Sequence, residues 1–407
     1  MAFIAAIRIK ILRMPPAFSR NALVLYWGVF FMPGSPRDID SIYMMKALKL
    51  ALKGEGRVNP NPMVGAILVK DGKIIGEGYH HSYGSLHAER DAIKDCREKG
   101  NDPSGSRLYV TLEPCCHQGK QPPCTEAILE AGITSVVTGS RDPNPLVHGK
   151  GIAFLREHGI EVHEDCMKSE CDKINQIFFH YIVTKTPYVA LKFAMTADGK
   201  IATVKGKSKW ISCPESLEFV HKLRNRYSAI LAGIGTVLAD DPLLTCRLPG
   251  GRNPIRIILD SKLSISLDSK IVRSAQNVRT IVVFNWASVA GCGSGPKMKV
   301  LKEKNVELIE CGDKNGKINI PRLFIEFGKM GIDSILVEGG AKINWSMLKE
   351  NCVKKIYQFI APKIFGGDEA KGPVAGSGIA ETDDAFRLKM SKVSQIGQDI
   401  LLEWEVK

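Results

Sequence analysis

No acidic residue occurs before Asp38, while Arg8, Lys10, Arg13, Arg20 and Arg37 all precede it. These five belong to a formal net charge of +13, so the rest of the 407-residue chain is only moderately basic. No run of five or more Lys/Arg is present, which argues against a polynucleotide surface and leaves anionic, phosphorylated small molecules as partners. The apolar stretch from Leu23 to Met32 is broken by Gly28 and is too short to span a bilayer. No small-residue cleavage site follows it. Residues 1–37 are therefore expected to be an extension outside the fold, with Met32 the expected true start. The eleven cysteines are odd in number and scattered. They form no disulfide framework and fit a reducing compartment, the cytoplasm. Internal repeats and low-complexity tracts are also missing. No well-placed G-x-G-x-x-G occurs: Gly291-Cys292-Gly293-Ser294-Gly295 fits loosely but follows a loop, so a Rossmann reading has no support.

What is present is His87-Ala88-Glu89, followed by Pro114-Cys115 and Pro123-Cys124. Zinc in a hydrolytic site takes three protein ligands and keeps a fourth position for water. One imidazole and two thiols fill that role, and Glu89 remains to move protons. The order matches the H-x-E then P-C-x-x-C pattern of nucleobase deaminases. The departure is a longer step between the cysteines, occupied by Cys116 through Pro123. Cys116 competes for the ligand role, and Cys115 is favoured because it directly follows Pro114. Taken singly, a free cysteine is usually a small buried residue. The ordered set makes the chemical reading the stronger one.

The length suggests two domains. Residues 39–53 read as an amphipathic helix ending at Gly54. Strands are expected at 64–69 and 74–79 around the Asp71-Gly72 hairpin signal. A helix over 87–99, a strand over 108–112, a helix over 125–131 and a strand over 135–138 follow, with one more helix and strand through 149–163. This succession implies a mostly parallel sheet flanked by helices. Both ligand motifs sit where strand or loop gives way to helix, and a helix N-terminus favours the thiolate. Residues 165–184 read as one helix before Thr186-Pro187. The pattern then restarts with a strand over 188–195, and further strands are expected near 229–232, 255–260, 280–284, 306–310, 333–337, 355–361 and 398–404. Helices are expected between them near 214–226, 297–304, 319–329 and 341–350.

With the ligand motif, the Asn59-Pro60-Asn61-Pro62-Met63-Val64-Gly65 segment and the loop from Glu113 to Cys124 in view, the chain resembles the bifunctional deaminase/reductase of riboflavin biosynthesis. The long loop between the cysteines is itself a mark of that family. The resemblance implies an α/β protein with a cytidine-deaminase-like three-layer domain over 38–184 and a dihydrofolate-reductase-like domain over 185–407. It implies zinc held by His87, Cys115 and Cys124, with Glu89 as proton shuttle. The first reaction would remove an amino group from a diaminopyrimidinone carrying a phosphoribosylamino arm. Its substrate residues map onto Asn61, His80, His117, Lys120, Asp142 and Asn144. On its own, Asp142-Pro143-Asn144 reads as a turn and His80 as solvated surface.

The second half carries the reductase resemblance at 191–200, 208–211, 235–242, 258–261 and 337–340. The family reduces the ribosyl arm to ribityl with NADPH. Lys192 and Asp240 are the expected orienting residues at the reacting carbon, with Glu338 beside the sugar. Arg224 and Arg247 suit the phosphate, because guanidinium binds it bidentately. Ser208 and Leu244 would complete the substrate wall. The cofactor would use Ala194, Trp210, Thr236, Asp240, Ser261 and the turn formed by Gly340, Ala341, Lys342, Ile343, Asn344, Trp345 and Ser346. On its own, Trp210 reads as core packing. The resemblance also implies a homo-oligomer, with no nucleic-acid or membrane partner. Two rival readings predict other features. A polynucleotide deaminase calls for C-x-x-C spacing and a helical C-terminal tail, and a structural zinc scaffold calls for a fourth ligand from Cys116 or His117.

Overall fold

The first described element is the expected amphipathic helix, α1 (Ile39–Ala51), which buries Tyr43, Met44, Ala47 and Leu48 along one stripe. The computed structural model describes residues 39–119, 121–290 and 294–407, so the expectations for residues 1–37, Lys120 and the glycines at 291 and 293 lie outside it. Strands β1 (Gly65–Lys70) and β2 (Lys73–Tyr79) form the predicted hairpin. Asp71 and Gly72 both take positive φ (50° and 73°), as a two-residue hairpin turn of this twist requires. Next come α2 (Ala88–Glu98), β3 (Arg107–Leu112), α3 (Cys124–Glu130), β4 (Ser135–Ser140), α4 (Lys150–Glu157) and β5 (Glu161–His163).

The strand order is β2-β1-β3-β4-β5. The sheet is mixed rather than mostly parallel: β1 pairs antiparallel with both β2 and β3, and only β3–β4 and β4–β5 are parallel. The tight hairpin forces the first pairing, because parallel neighbours need a long crossover. Alternation along the strands supplies two apolar faces. Leu68, Leu108, Val110 and Val136 pack with α2, α3 and α4, and Ile67, Val69, Tyr109 and Val137 pack with α1. Helix α2 lies so close to β2 that a methyl group at Gly76 or Gly78 would overlap its backbone at Ala92. This contact fixes the helix that carries Glu89. The predicted helix over 165–184 is two helices, α5 (Lys168–Ile174) and α6 (Gln176–Thr184). Asn175 interrupts them and spends its side chain on both backbone groups of Met63.

The second sheet begins with β6 (Tyr188–Thr196), then α7 (Pro214–Arg226), β7 (Ala229–Gly233), α8 (Ile234–Asp240) and β8 (Ile255–Leu259). It continues through α9 (Lys270–Arg273), β9 (Thr280–Phe284), α10 (Trp286–Val289), α11 (Gly295–Glu303) and β10 (Val306–Glu310). Then follow α12 (Ile320–Lys329), β11 (Ser334–Val337), α13 (Ala341–Lys349), β12 (Val353–Ala361), β13 (Leu388–Ile396) and β14 (Asp399–Val406). The nine strands are ordered β10-β9-β8-β7-β11-β6-β12-β14-β13, parallel up to β12 and antiparallel beyond it. The central strands are buried on both faces, which is why they read as continuous apolar runs. Four elements were not foreseen. Helix α8 contains Gly235, α9 and α10 are four residues each, and β13 is a largely exposed edge strand with little apolar signal.

One irregularity makes the site in this half. Strand β11 stops at Val337, opposite Leu191. β6 then runs on from Lys192 to Thr196 with β12 alone, leaving a notch in the sheet. The described residues form one compact unit, in which Glu55 pairs with Arg226 at 3.1 Å and the Tyr181 hydroxyl donates to the Gly328 carbonyl at 3.0 Å.

Candidate metal centre and reductase notch

His87 is the extended N-cap of α2, Cys124 is the first residue of α3, and Cys115 follows β3. Their ligand atoms all lie within 4.8 Å of one another, and they are the only His/Cys/Asp/Glu group of this kind among the described residues. The nitrogen that faces the sulfurs is Nδ1, at 3.5 Å from Cys115 and 3.3 Å from Cys124. The Cys124 N–H donates to the Cys115 sulfur at 3.4 Å. Hydrogen bonding from Cys124, and then from His87, pulls the Cys115 thiol down to about 4. Two thiols and an imidazole with one ionisable sulfur already stabilised are the donor set zinc takes, so the residues fit the metal. Cys116 stands outside the cluster, as Pro114-Cys115 adjacency predicts.

Glu89 sits in the first turn of α2, 4 % exposed. Burial, assisted by the neighbouring Cys115 thiolate, pushes its carboxyl up to about 7. A buried carboxyl two residues from a metal ligand is placed to move protons at the site.

The expected substrate residues gather unevenly around this centre. His80 is buried, and its ring meets the His87 ring edge-on at 5.6 Å. Its Nδ1 lies 2.9 Å from the Leu86 carbonyl, which must be met by an N–H, so Nε2 is the acceptor for the Asn61 amide at 3.1 Å. The solvated reading of His80 is therefore replaced by a fixed, buried one, whereas His81 pairs outside with Asp91. His117 Nδ1 is buried without a hydrogen-bond partner among the described residues. Lys120 is not described. Asp142 accepts the Asn144 N–H at 2.8 Å, and Asn144 accepts the Leu146 N–H at 3.2 Å. The turn reading of this segment is thus geometrically correct. Burial still raises Asp142 to about 6.

Glu113, for which the sequence carried no expectation, braces the site. Its carboxylate accepts the N–H groups of Asp142, Gly149, Gly151 and Ile152, tying this turn to the segment that carries Cys115. The signal was there, because a carboxylate at the end of a buried apolar strand must find donors.

In the second half, Lys192 borders the notch, and Glu338 follows the end of β11. Arg224 grips Glu338 with two bonds of 2.7 and 2.8 Å and gives a third to the Thr245 carbonyl at 3.0 Å. The expectation of a phosphate fork at Arg224 is thereby modified: a buried carboxylate claims that face, because an unpaired one would be costly. Burial alone would raise Glu338, but Arg224 outweighs it and holds the carboxyl below its ordinary value. Burial lowers the Lys192 pKa, and Glu338 limits the fall. Arg247 remains exposed beside His221. Asp240 pairs with Lys209 at 3.6 Å.

The remaining expected residues sort by exposure. Leu244 is buried with Ile230, Val237 and Ile258, so its side chain serves the core, and its backbone takes a positive φ of 52°. Ser208 is half-buried on the same loop as Trp210, which is 65 % exposed and no core residue. That loop is pinned by Lys363, which donates to the carbonyls of Trp210 and Ile211 at 2.9 and 2.8 Å. Ala194 lies on β6 and Ser261 just beyond β8.

At the start of α13, the Gly340 N–H donates to Thr236 Oγ1 at 3.2 Å, and a Cβ at Gly340 or Gly235 would meet open space or Thr236 alone. A helix start facing open space suits a diphosphate, so the residues fit a dinucleotide cofactor. The N–H groups of Ile343 and Asn344 turn back onto Gly340, leaving those of Ala341 and Lys342. Asn344 donates to the Pro373 carbonyl, Trp345 packs against Phe386, and the Ser346 hydroxyl donates to the Lys342 carbonyl. Asn344, Trp345 and Ser346 are thus engaged within the fold.

Fold and site define a zinc-dependent deaminase joined to a dinucleotide-dependent reductase. Residues 37–140 match the cytidine and deoxycytidylate deaminase zinc-binding region, and residues 187–402 match the RibD C-terminal domain. The riboflavin biosynthesis protein RibD of Actinobacillus pleuropneumoniae is 46 % identical over 91 % of this chain and 95 % of its own. That of Aquifex aeolicus is 41 % identical over 90 % and 98 %. The solved deaminase/reductase of Thermotoga maritima superposes with a TM-score of 0.79 at 42 % identity, over 91 % of this chain and 99 % of its own. The chain belongs to the RibD family of bifunctional riboflavin-biosynthesis deaminase/reductases. Among the described residues no helix is long and apolar enough to cross a membrane.

Proposed function

We propose that the substrates are those in the name of the Thermotoga relative: a diaminohydroxyphosphoribosylaminopyrimidine for the first half, and 5-amino-6-(5-phosphoribosylamino)uracil for the second. The observation that carries this reading is the close triangle of His87, Cys115 and Cys124 beside an unligated, buried Glu89. Zinc held by His87, Cys115 and Cys124 would acidify a water for attack on the amino-bearing ring carbon. Glu89 takes a proton from the water and passes it to a ring nitrogen; it then takes the proton of the hydroxyl now on the ring carbon and gives it to the amine, which leaves as ammonia as the carbonyl forms. Asn61, oriented by His80, and the Asp142–Asn144 turn hold the ring edge. His117 and Lys120 serve the phosphate arm.

In the reductase half, bound NADPH would supply the hydride for the anomeric carbon. Lys192 polarises that centre as a proton donor whose pKa burial has drawn down, with Glu338 beside the sugar. Arg247, with Arg224 behind it, serves the phosphate, and Ser208 and the Leu244 backbone line the wall. Thr236, Asp240, Ser261, Ala194, Trp210 and the turn at 340–346 hold the cofactor. We place the boundary between the two halves at 184/185. We also propose a cytoplasmic homo-oligomer: the cysteines among the described residues are free thiols, and the β13–β14 edge exposes Leu388, Met390, Val393 and Ile400.

A coupled assay tests the whole reading. Purified protein with zinc, the diaminopyrimidine phosphate and NADPH should release ammonia first and then lose cofactor absorbance. Metal-stripped protein should lose the first signal and still oxidise NADPH with pre-deaminated substrate. Ammonia release without zinc would overturn the proposal.

A further inference from the structure

Asn61 is carried on a loop clamped at both ends. At one end Asn175 exchanges hydrogen bonds of 2.8 and 2.9 Å with the backbone of Met63. At the other, the Asn59 amide donates to Asp333 Oδ2 at 2.7 Å. Asp333 belongs to the other half of the molecule and immediately precedes β11. It is 1 % exposed, and its second oxygen accepts from the hydroxyls of Ser228 and Ser334, so its orientation is fixed. Just upstream, Glu55 is tied to the same half by Arg226 and by the Asn225 amide. From the clamped loop, the Asn61 amide reaches His80, which is hydrogen-bonded to Leu86, the residue before His87. A continuous chain of hydrogen bonds and backbone therefore runs from the reductase sheet to the metal centre.

We propose that Asp333 is a positioning residue for deamination: through Asn59, the reductase half fixes the loop that presents Asn61 to the pyrimidine. This rests on the reading of Asn61 as a substrate contact. With the clamp broken, the loop must be ordered by the substrate itself, and that cost falls on binding rather than on the chemical step. Deamination should then lose affinity while its turnover is preserved.

The substitution Asn59→Asp sets a second carboxylate against Asp333. The expected result is a rise of about tenfold in the deamination KM with kcat within about twofold, the loss of one hydrogen bond to a charged group. Reduction of pre-deaminated substrate should be unchanged. Adding Asp333→Asn restores a donor–acceptor pair of reversed polarity, because the new amide donates to position 59 while its oxygen still accepts from Ser228 and Ser334. The double variant should return the KM to within about threefold of the parent. An unchanged KM in Asn59→Asp overturns the proposal, as does a raised KM or lost activity that Asp333→Asn fails to restore. Asn61→Ala separates this from the parent reading. If Asn61→Ala leaves the deamination KM unchanged, the assignment of Asn61 itself falls. If Asn61→Ala raises the KM and Asn59→Asp does not, only the clamp falls.

Discussion

His87, Glu89, Cys115 and Cys124 come from two short stretches of chain and meet at the starts of α2 and α3. Lys192, Arg224, Asp240, Arg247 and Glu338 come from one strand, two helices, a loop and the residue after a second strand of a larger sheet; Arg224 is already spent on Glu338, and Asp240 is paired with Lys209. The first site is a tight cluster whose ligands need only local geometry. The second is a notch that exists only because β11 ends before β6 does. A cluster should fail completely when one member changes, whereas a dispersed notch should fail by degrees.

Glu89→Gln gives the largest expected contrast. Deamination should fall by about a thousandfold or more, since the variant keeps the shape but cannot shuttle a proton. Reduction of pre-deaminated substrate should be untouched in the same preparation. Loss of both activities would erase the contrast. Lys192→Ala comes next, with reduction expected to fall by about a hundredfold and deamination unchanged, read as NADPH oxidation and ammonia release. Undiminished NADPH oxidation would remove Lys192 from the site.

The smallest effect concerns His221. Burial, then Arg224 and Arg247, depress its pKa to about 4. The native state therefore binds fewer protons here than the unfolded chain between about pH 6.5 and 4. The stability this contributes is present above that window and is lost as pH falls through it. Imidazole NMR should show a neutral ring down to about pH 5. Titration near the ordinary value would show that the cationic surroundings are screened.

The same contrast explains what the sequence disclosed. His87, Cys115 and Cys124 were legible because hydrolytic zinc needs few residue types in a set order next to helix starts. Which imidazole nitrogen faces the sulfurs was not, since both occur in every histidine. Glu113 escaped notice because its partners are backbone N–H groups of α4 and the adjoining loop, which carry no side-chain signature. In the reductase half the central strands were plain from their apolar runs, but β13 was hidden by its exposed edge and α8 by its glycine. The Arg224–Glu338 grip joins positions 114 apart in the chain, a distance over which local pattern says nothing. Trp210 was assigned to the cofactor only through the resemblance, and its exposure now removes the plainer reading as a core residue.

X-ray absorption at the zinc edge of the metal-loaded protein is the most direct measurement. Two sulfur neighbours, one imidazole nitrogen and one light-atom position open to exchange are expected, unchanged in Glu89→Gln. A third sulfur, or a second imidazole closing the shell, would mean a structural site and would contradict the account.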